Sequence, residues 1–262
     1  MEITLYKWSG AGNLFEVADG RNADVLVLRF RPAIERICRQ YGTDGLMILN
    51  APVQAGTDFD MEFYNPDGSG GMMCGNGGRC IAAFADRLGI KPANGQKFVF
   101  TAPDGLHDAQ ILLHEGEKWE VRLKMRDAEA PEQMLDGWFI NTGTRHFVKF
   151  VEDVEAVDVS NEGRTIRMNW VFRPEGANVN FVQVLPDGSL KVRTFEKGVE
   201  GETAACGTGL TASALVAFHT GKVSSTSVLL HARHDDLRVD FTVNGERFEE
   251  VHLTGPAELL KQ

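Results

Sequence analysis

The chain is short of the features that mark secreted, membrane-spanning or nucleic-acid-binding proteins. It has four cysteines in 262 residues, Cys38, Cys74, Cys80 and Cys206. Four are too few for a disulfide scaffold at this length. No two are spaced as C-x-x-C and the histidines stand at no metal-like spacing from them, which argues against a zinc site. No stretch approaches the roughly 18–20 apolar residues that a bilayer span needs. The opening Met1-Glu-Ile-Thr-Leu-Tyr-Lys-Trp lacks the basic start and apolar core of a signal peptide and reads as a strand beginning at once. Positive charge is in deficit, 27 Lys and Arg against 37 Asp and Glu for a net charge of −10, and such a chain repels phosphate backbones and anionic membranes. These absences leave a cytoplasmic protein with free thiols and a small-molecule partner, no nucleic acid and no membrane, with a homodimer left open.

What is present is an ordinary core composition, 43% hydrophobic and 24% charged, in a length that suits one large domain or two of about 130 residues. It is also an internal repeat. Cys74 opens Cys-Gly-Asn-Gly-Gly-Arg-Cys-Ile-Ala-Ala-Phe-Ala, and Cys206, 132 residues later, opens Cys-Gly-Thr-Gly-Leu-Thr-Ala-Ser-Ala-Leu-Val-Ala-Phe. Phe63 and Phe195 keep the same 132-residue offset, Gly12 and Gly143 are 131 apart, and Asp44-Gly-Leu-Met-Ile-Leu lines up near Asn178-Val-Asn-Phe-Val-Gln at 134. A period of a whole domain differs from the short stacked periods of solenoids.

The expected fold is therefore α+β, two pseudo-symmetric duplicated halves facing each other, each a strand-rich sheet wrapped around a central helix. Strands are expected at 44–50, 59–64, 97–101, 109–114, 119–125, 146–151, 179–185, 190–195, 227–232 and 237–243, from β-branched and aromatic residues between turn signals. Helices are expected at 32–41, 75–88 and 207–220, the last two starting directly after a cysteine and stopping at Gly89 and Gly221. The halves are expected to comprise 1–116, joined by a returning C-terminal strand at 250–262, and 117–249.

A cysteine directly before a glycine-rich helix start carries chemistry. The helix N-terminus exposes unpaired N–H groups and about half a positive charge. Glycines let an anion approach that backbone, and thiolates are favoured there. Two such starts, one per half, supply a cradle for a carboxylate and two sulfurs for the carbon beside it. One thiolate removes the Cα proton and the opposite thiol returns one to the other face. The amides meanwhile stabilise charge that spreads onto the carboxylate in the transition state. Taken alone, a C-G-T-G is more often structural; the matched pair is what points to Cys74 and Cys206 as acid and base of an amino acid epimerase. Cys38 and Cys80 lack a repeat partner and read as packing residues.

At these residues the sequence resembles the diaminopimelate epimerase family over essentially the whole chain. Trp8-Ser-Gly-Ala-Gly-Asn-Leu-Phe resembles its N-terminal segment, with Leu14 where aspartate is usual. Asn65-Pro-Asp-Gly-Ser with Cys74-Gly-Asn-Gly-Gly-Arg-Cys resembles its first cysteine motif. Glu196-Lys-Gly-Val-Glu-Gly-Glu-Thr-Ala-Ala-Cys-Gly-Thr-Gly resembles the second, and Gly255-Pro-Ala-Glu its C-terminal signature. The resemblance implies cofactor-independent interconversion of LL- and meso-diaminopimelate for lysine and peptidoglycan synthesis, with no pyridoxal phosphate and no metal. It implies that Gly75, Asn76, Gly207 and Thr208 give backbone amides to the reacting carboxylate and that Glu196 holds the amino group. Asn13, Asn65 and Asn178 would complete the pocket.

Three departures fall at the distal end of the substrate: Thr144 where the family has an asparagine, Lys197 where arginine is common, and Gly45 where glutamine is frequent. Arg145 is a candidate to compensate as a carboxylate partner. Both Thr144 and Lys197 are kept as substrate-binding positions. The alternative within the same chemistry is a racemase acting on another amino acid such as histidine. Outside it stand a thiol redox protein, a dinucleotide-binding oxidoreductase suggested by Gly207-Thr-Gly-Leu-Thr-Ala, and a non-catalytic binding module.

Overall fold

In a computed structural model, residues 3–22, 24–71 and 73–261 are described. The strand expected from Met1 onward has its first two residues outside that set, and its described part begins at Leu5. The chain divides into two compact units, Met1–Leu123 with Gly255–Gln262, and Lys124–Thr254.

The first unit contains β1 (Leu5–Gly10), β2 (Asn13–Asp19), α1 (Arg31–Tyr41), β3 (Gly45–Asn50), β4 (Phe59–Tyr64), α2 (Gly75–Arg87), β5 (Phe98–Ala102), β6 (Gly105–Glu115) and β7 (Lys118–Lys124). Its strands pair in sequence order, antiparallel for β1–β2, parallel for β2–β3, antiparallel for β3–β4, parallel for β4–β5, then antiparallel through β6 and β7. Residues 255–259 slot in antiparallel between β7 and β1 and close the sheet into a barrel of eight strands, which removes its edges. α2 packs on β1, β2, β3 and β6. Every residue from Gly75 to Ala85 is buried, as expected of a helix enclosed on all sides. α1 lies on the opposite face of β2 and β3, where Ile34, Ile37 and Cys38 meet Ala18, Leu46 and Ile48.

The second unit contains β8 (Ala128–Glu129), β9 (Glu132–Met134), β10 (Gly137–Asn141), β11 (Arg145–Phe150), α3 (Val159–Arg167), β12 (Asn178–Val184), β13 (Leu190–Glu196), β14 (Gly201–Thr203), α4 (Gly207–His219), β15 (Ser227–His231), β16 (Asp236–Asn244) and the start of β17 (Arg247–Leu259). From β10 to β17 the strands repeat the same succession of antiparallel and parallel partners: β10–β11, β11–β12, β12–β13, β13–β15, β15–β16, β16–β17. α4 is the enclosed helix here, contacting β10 to β13, β15 and β16, and α3 is the outer one, on β12 and β13.

The duplication is visible in the register. Phe63 lies opposite Met47 and Phe195 opposite Val179, so both partners move by the same 132 residues. α2 and α4 each have 13 residues, starting one residue after their cysteines. Even the register slips recur, at Ile111/Leu113 in β6–β7 and at Asp240/Thr242 in β16–β17. The 134-residue offset read for β3 against β12 is corrected to 132 by this pairing.

Three expectations are adjusted. The divide expected after residue 116 falls instead at Leu123, because β7 completes a hairpin with β6 and belongs to the first unit. The returning strand expected from residue 250 joins the first unit only from Gly255; its earlier part pairs with β16. The stretch between Phe150 and Asn178, left without an element in the sequence, contains α3.

Candidate active site

In the first unit Cys74 is the N-cap of α2, with extended backbone angles and its Sγ accepting a hydrogen bond from the Gly77 amide at 3.2 Å. The glycines after it allow close packing by neighbouring side chains. A Cβ on Gly77 would sit 3.2 Å from both Cys74 Sγ and Met47 Sδ, and one on Gly78 would meet Met73 Sδ at 2.7 Å. On the neighbouring strand a Cβ on Gly10 would approach the Asn76 carbonyl oxygen to 2.7 Å. The helix start is thus pressed against the barrel wall.

Asn76 and Asn13, both expected in the pocket, are brought together: Asn76 Nδ2 donates to Asn13 Oδ1. Asn13 Nδ2 in turn donates to Asp44 Oδ2 at 3.1 Å, the same oxygen that accepts the Leu14 amide at 2.9 Å. On its other side Asn76 Oδ1 accepts from Arg79 Nη2 at 2.9 Å, while Arg79 also reaches the carbonyls of Gly75 and Pro256, both at 3.2 Å. Arg79 is fully buried, and its fixed guanidinium stands one turn behind Cys74. Neither Arg79 nor Asp44 was singled out in the sequence; the only signal was their place beside motif residues. Asn65 lies in the turn after β4, its Nδ2 on Ser69 Oγ at 3.0 Å. Burial pushes the Cys80 thiol up to about 12, with the nearby Arg79 charge opposing, so Cys80 stays protonated and the sequence assignment of a packing residue fits.

In the second unit Cys206 caps α4 and is buried. Its Sγ lies 3.5 Å from Thr208 Oγ1, which is 3.0 Å from His146 Nε2. Thr144 Oγ1 is 2.9 Å from the same ring nitrogen and accepts from Asn178 Nδ2 at 3.1 Å. Asn178 Oδ1 accepts the Lys197 amide at 2.8 Å. Thr144, Asn178, Lys197, Thr208 and Cys206 therefore form one connected cluster around His146, a residue with no role assigned from the motifs. Desolvation, with the Lys197 charge adding, drives the His146 pKa down to about 3, so the ring is neutral. A Cβ at Gly209 would come within 2.3 Å of Asn180 Oδ1, the next member of this network.

Glu196, at the end of β13, accepts a hydrogen bond from Thr203 Oγ1 at 2.9 Å, across the β13–β14 pair in which it lies opposite Gly201. Lys197 follows it at the start of the loop. Arg145 does not stand ready as a carboxylate partner: its guanidinium pairs with Glu175 and lies 5.2 Å from the Phe139 ring centroid. The dinucleotide reading also loses its support, because the segment before Gly207 contains only the short β14, antiparallel to β13, whereas that fingerprint needs a parallel strand. Cys38 and Cys80 are free thiols.

Each unit thus offers a cysteine at the mouth of an enclosed helix, with the first-turn amides beside it. Such amides have no carbonyl four residues back to bond, and they suit an anion. Sulfur, amides and polar side chains that position them are what proton transfer at a carbon next to a carboxylate requires.

A family model described as diaminopimelate epimerase matches residues 5–129 and 138–260. The chain is 38% identical over 261 residues to the diaminopimelate epimerase of Flavobacterium psychrophilum, covering 98% of each chain. It is 40% identical over 271 residues to that of Aquifex aeolicus, covering 97% of this chain and 94% of the relative. Among solved structures it resembles a phenazine biosynthesis protein of the PhzF family from Bacillus anthracis, with TM-score 0.69, 13% identity and coverage of 100% and 98%. It also resembles a probable proline racemase from Agrobacterium radiobacter K84, with TM-score 0.66, 17% identity and coverage of 100% and 93%. These two likenesses are of fold.

Proposed function

Because the chain belongs to the diaminopimelate epimerase family, we propose that it interconverts LL- and meso-diaminopimelate in the cytoplasm, with Cys74 and Cys206 as base and acid. One thiolate takes the proton from the reacting Cα. The electron pair spreads onto the adjacent carboxylate, held by the first-turn amides at Gly75, Asn76, Gly207 and Thr208. The other thiol then delivers its proton to the opposite face, leaving the mirror configuration at that carbon and the two sulfurs with their roles exchanged. The reverse reaction starts from the exchanged state.

The observation that carries this reading is the line from Cys206 Sγ through Thr208 Oγ1 to His146 Nε2. A neutral histidine behind a threonine hydroxyl gives the sulfur a donor when it is a thiolate and imposes no second charge beside it. Glu196, held by Thr203, has the charge to receive a substrate ammonium. Lys197 offers a cation to the distal carboxylate as a point charge, where a guanidinium would grip both oxygens. Thr144, Asn178, Asn13, Asn65 and Asn76 supply the polar lining.

The test is solvent exchange. Purified protein in deuterated water should place deuterium at Cα of diaminopimelate, and Cys74→Ser and Cys206→Ser should each abolish epimerisation. Exchange into histidine or another amino acid with none into diaminopimelate would replace the substrate while keeping the chemistry. Epimerisation that survives both substitutions would end the two-cysteine mechanism.

A further inference from the structure

The loop between β13 and β14 carries Lys197 directly after Glu196, and a helix outside the cysteine cluster holds its shape. Arg167 closes α3 and directs Nε and Nη2 onto the same Glu200 oxygen, both at 2.9 Å. That Oε1 also accepts the Gly198 amide at 3.1 Å. The loop is tight: the Glu200 amide bonds back to the Glu196 carbonyl at 2.8 Å, Gly198 has φ +96°, and Glu200 itself has φ +58°. A positive φ is unfavourable for a glutamate, so the turn needs an outside restraint. At its tip, Val199 is 62% exposed, so its side chain provides little anchoring.

The far end of the restraint is rigid. Gly163, in the middle of α3, lies so close to β13 that a Cβ there would be 2.4 Å from Phe195 Cβ, which seats the helix on the strand that ends at Glu196. The arginine passes close by Gly176, where a Cβ would meet Arg167 Nη1 at 2.3 Å. Gly176 lies two residues before Asn178, whose Oδ1 takes the Lys197 amide. Arg167 therefore lies against the segment leading to Asn178 while gripping the segment that follows Lys197.

Building on the epimerase reading, we propose that Arg167 and Glu200 form a clamp that positions Lys197 for the distal end of the substrate. Arg167 is a positioning residue in this arrangement. Glu196 is held independently, by strand pairing with Gly201 and by Thr203 Oγ1, so loss of the clamp acts on substrate affinity more than on turnover.

The experiment measures kcat and KM for diaminopimelate, together with backbone hydrogen exchange of a peptide spanning 197–203, in four proteins. These are wild type, Arg167→Gln, Arg167→Lys and Glu200→Asn, the last chosen because asparagine tolerates positive φ. The clamp predicts that Arg167→Gln and Glu200→Asn each raise KM by roughly tenfold with kcat within about twofold. Their combination should go no further than either alone, the loop amides should exchange faster, and Arg167→Lys should recover part of the affinity. A helix that merely stabilised the fold would lower the melting temperature without moving KM. Unchanged KM in Glu200→Asn, or unchanged loop exchange in both variants, overturns the proposal. If the wild type does not act on diaminopimelate at all, it is the functional reading that fails, and the exchange data still decide whether the clamp exists. Should Arg167→Gln not fold, Glu200→Asn carries the test.

Discussion

Asn180 Nδ2 faces His146 Nδ1 at 3.1 Å, while the Asn180 carbonyl oxygen is already taken by Thr194 Oγ1 at 3.0 Å. The same Nδ2 also donates to the Phe147 carbonyl, which fixes the amide's orientation. His146 Nδ1 is therefore an acceptor and its proton resides on Nε2. That proton faces Thr144 Oγ1 at 2.9 Å and Thr208 Oγ1 at 3.0 Å, so neither hydroxyl donates to the ring, and the Thr208 hydrogen is left to give to Cys206. A hydrogen bond to a charged group contributes about 1.5–3 kcal/mol. Thr208→Val, nearly isosteric, should thus lower kcat/KM by roughly ten- to a hundredfold without altering the melting temperature much. Steady-state kinetics beside a thermal melt checks both halves of that statement.

The same histidine makes the second unit sensitive to acid. Its folded pKa of about 3 lies below the ordinary histidine value of 6.5. Its contribution to stability is therefore complete above about 6.5 and is lost as pH falls from there towards 3. Urea denaturation midpoints measured from pH 7 down to pH 4 should decline, and the decline should be shallower in His146→Gln. Equal slopes in the two proteins would show that the ring does not titrate in this way.

The first unit contains the opposite case. Glu16 on β2 is fully buried, and burial pushes its pKa from 4.5 up to about 7, with the Lys7 charge opposing. A raised carboxyl contributes fully below about 4.5, and that contribution is lost as pH rises through about 7. Glu16→Gln should therefore be the more stable protein at pH 8, by on the order of 3 kcal/mol, with the difference shrinking towards pH 5. Denaturant titrations at the two pH values measure it.

Gly163→Ala sets two effects against each other. Alanine favours a helix interior over glycine by about 1 kcal/mol. Its Cβ, however, would fall 2.4 Å from Phe195 Cβ, and overpacking of a core costs about 1–3 kcal/mol or more. The clash should win, giving a lower melting temperature, and it should disturb Glu196 next to Phe195 enough to reduce activity as well.

Thiol reactivity should separate the four cysteines. Cys74 is half-buried whereas Cys80 is fully buried and pushed up to about 12. Brief alkylation of the native protein should label Cys74 and leave Cys80 untouched until denaturant is added, as read by peptide mass spectrometry.

Much of this was legible in the residues. The cysteine-led helices stand out because each is alanine-rich and largely apolar, and because the cysteine-glycine start occurs twice at one spacing. The strands of the barrels stand out through β-branched and aromatic runs between turns. α3 was not legible: Val159, Ile166 and a central glycine make a weak helical pattern, and the helix exists because that glycine lets it sit on Phe195. The division of β17 was hidden because both parts read as strand, and only partner choice separates them. The His146 network was hidden for another reason. Its members come from three separate stretches, Thr144 with His146, Asn178 with Asn180, and Thr208, which meet only through parallel pairing of β11 with β12 and the approach of α4.

The eighth place in the first barrel is filled by residues 255–259, yet 131 residues of the second unit, Lys124–Thr254, are synthesised before them. A nascent chain leaving the ribosome therefore spends on the order of ten seconds with β1 and β7 lacking the strand that joins them, each an open edge able to recruit a stray strand. Chaperone dependence during translation, and aggregation of chains stalled before Gly255, follow from encoding the final stave of the first barrel after the whole of the second unit.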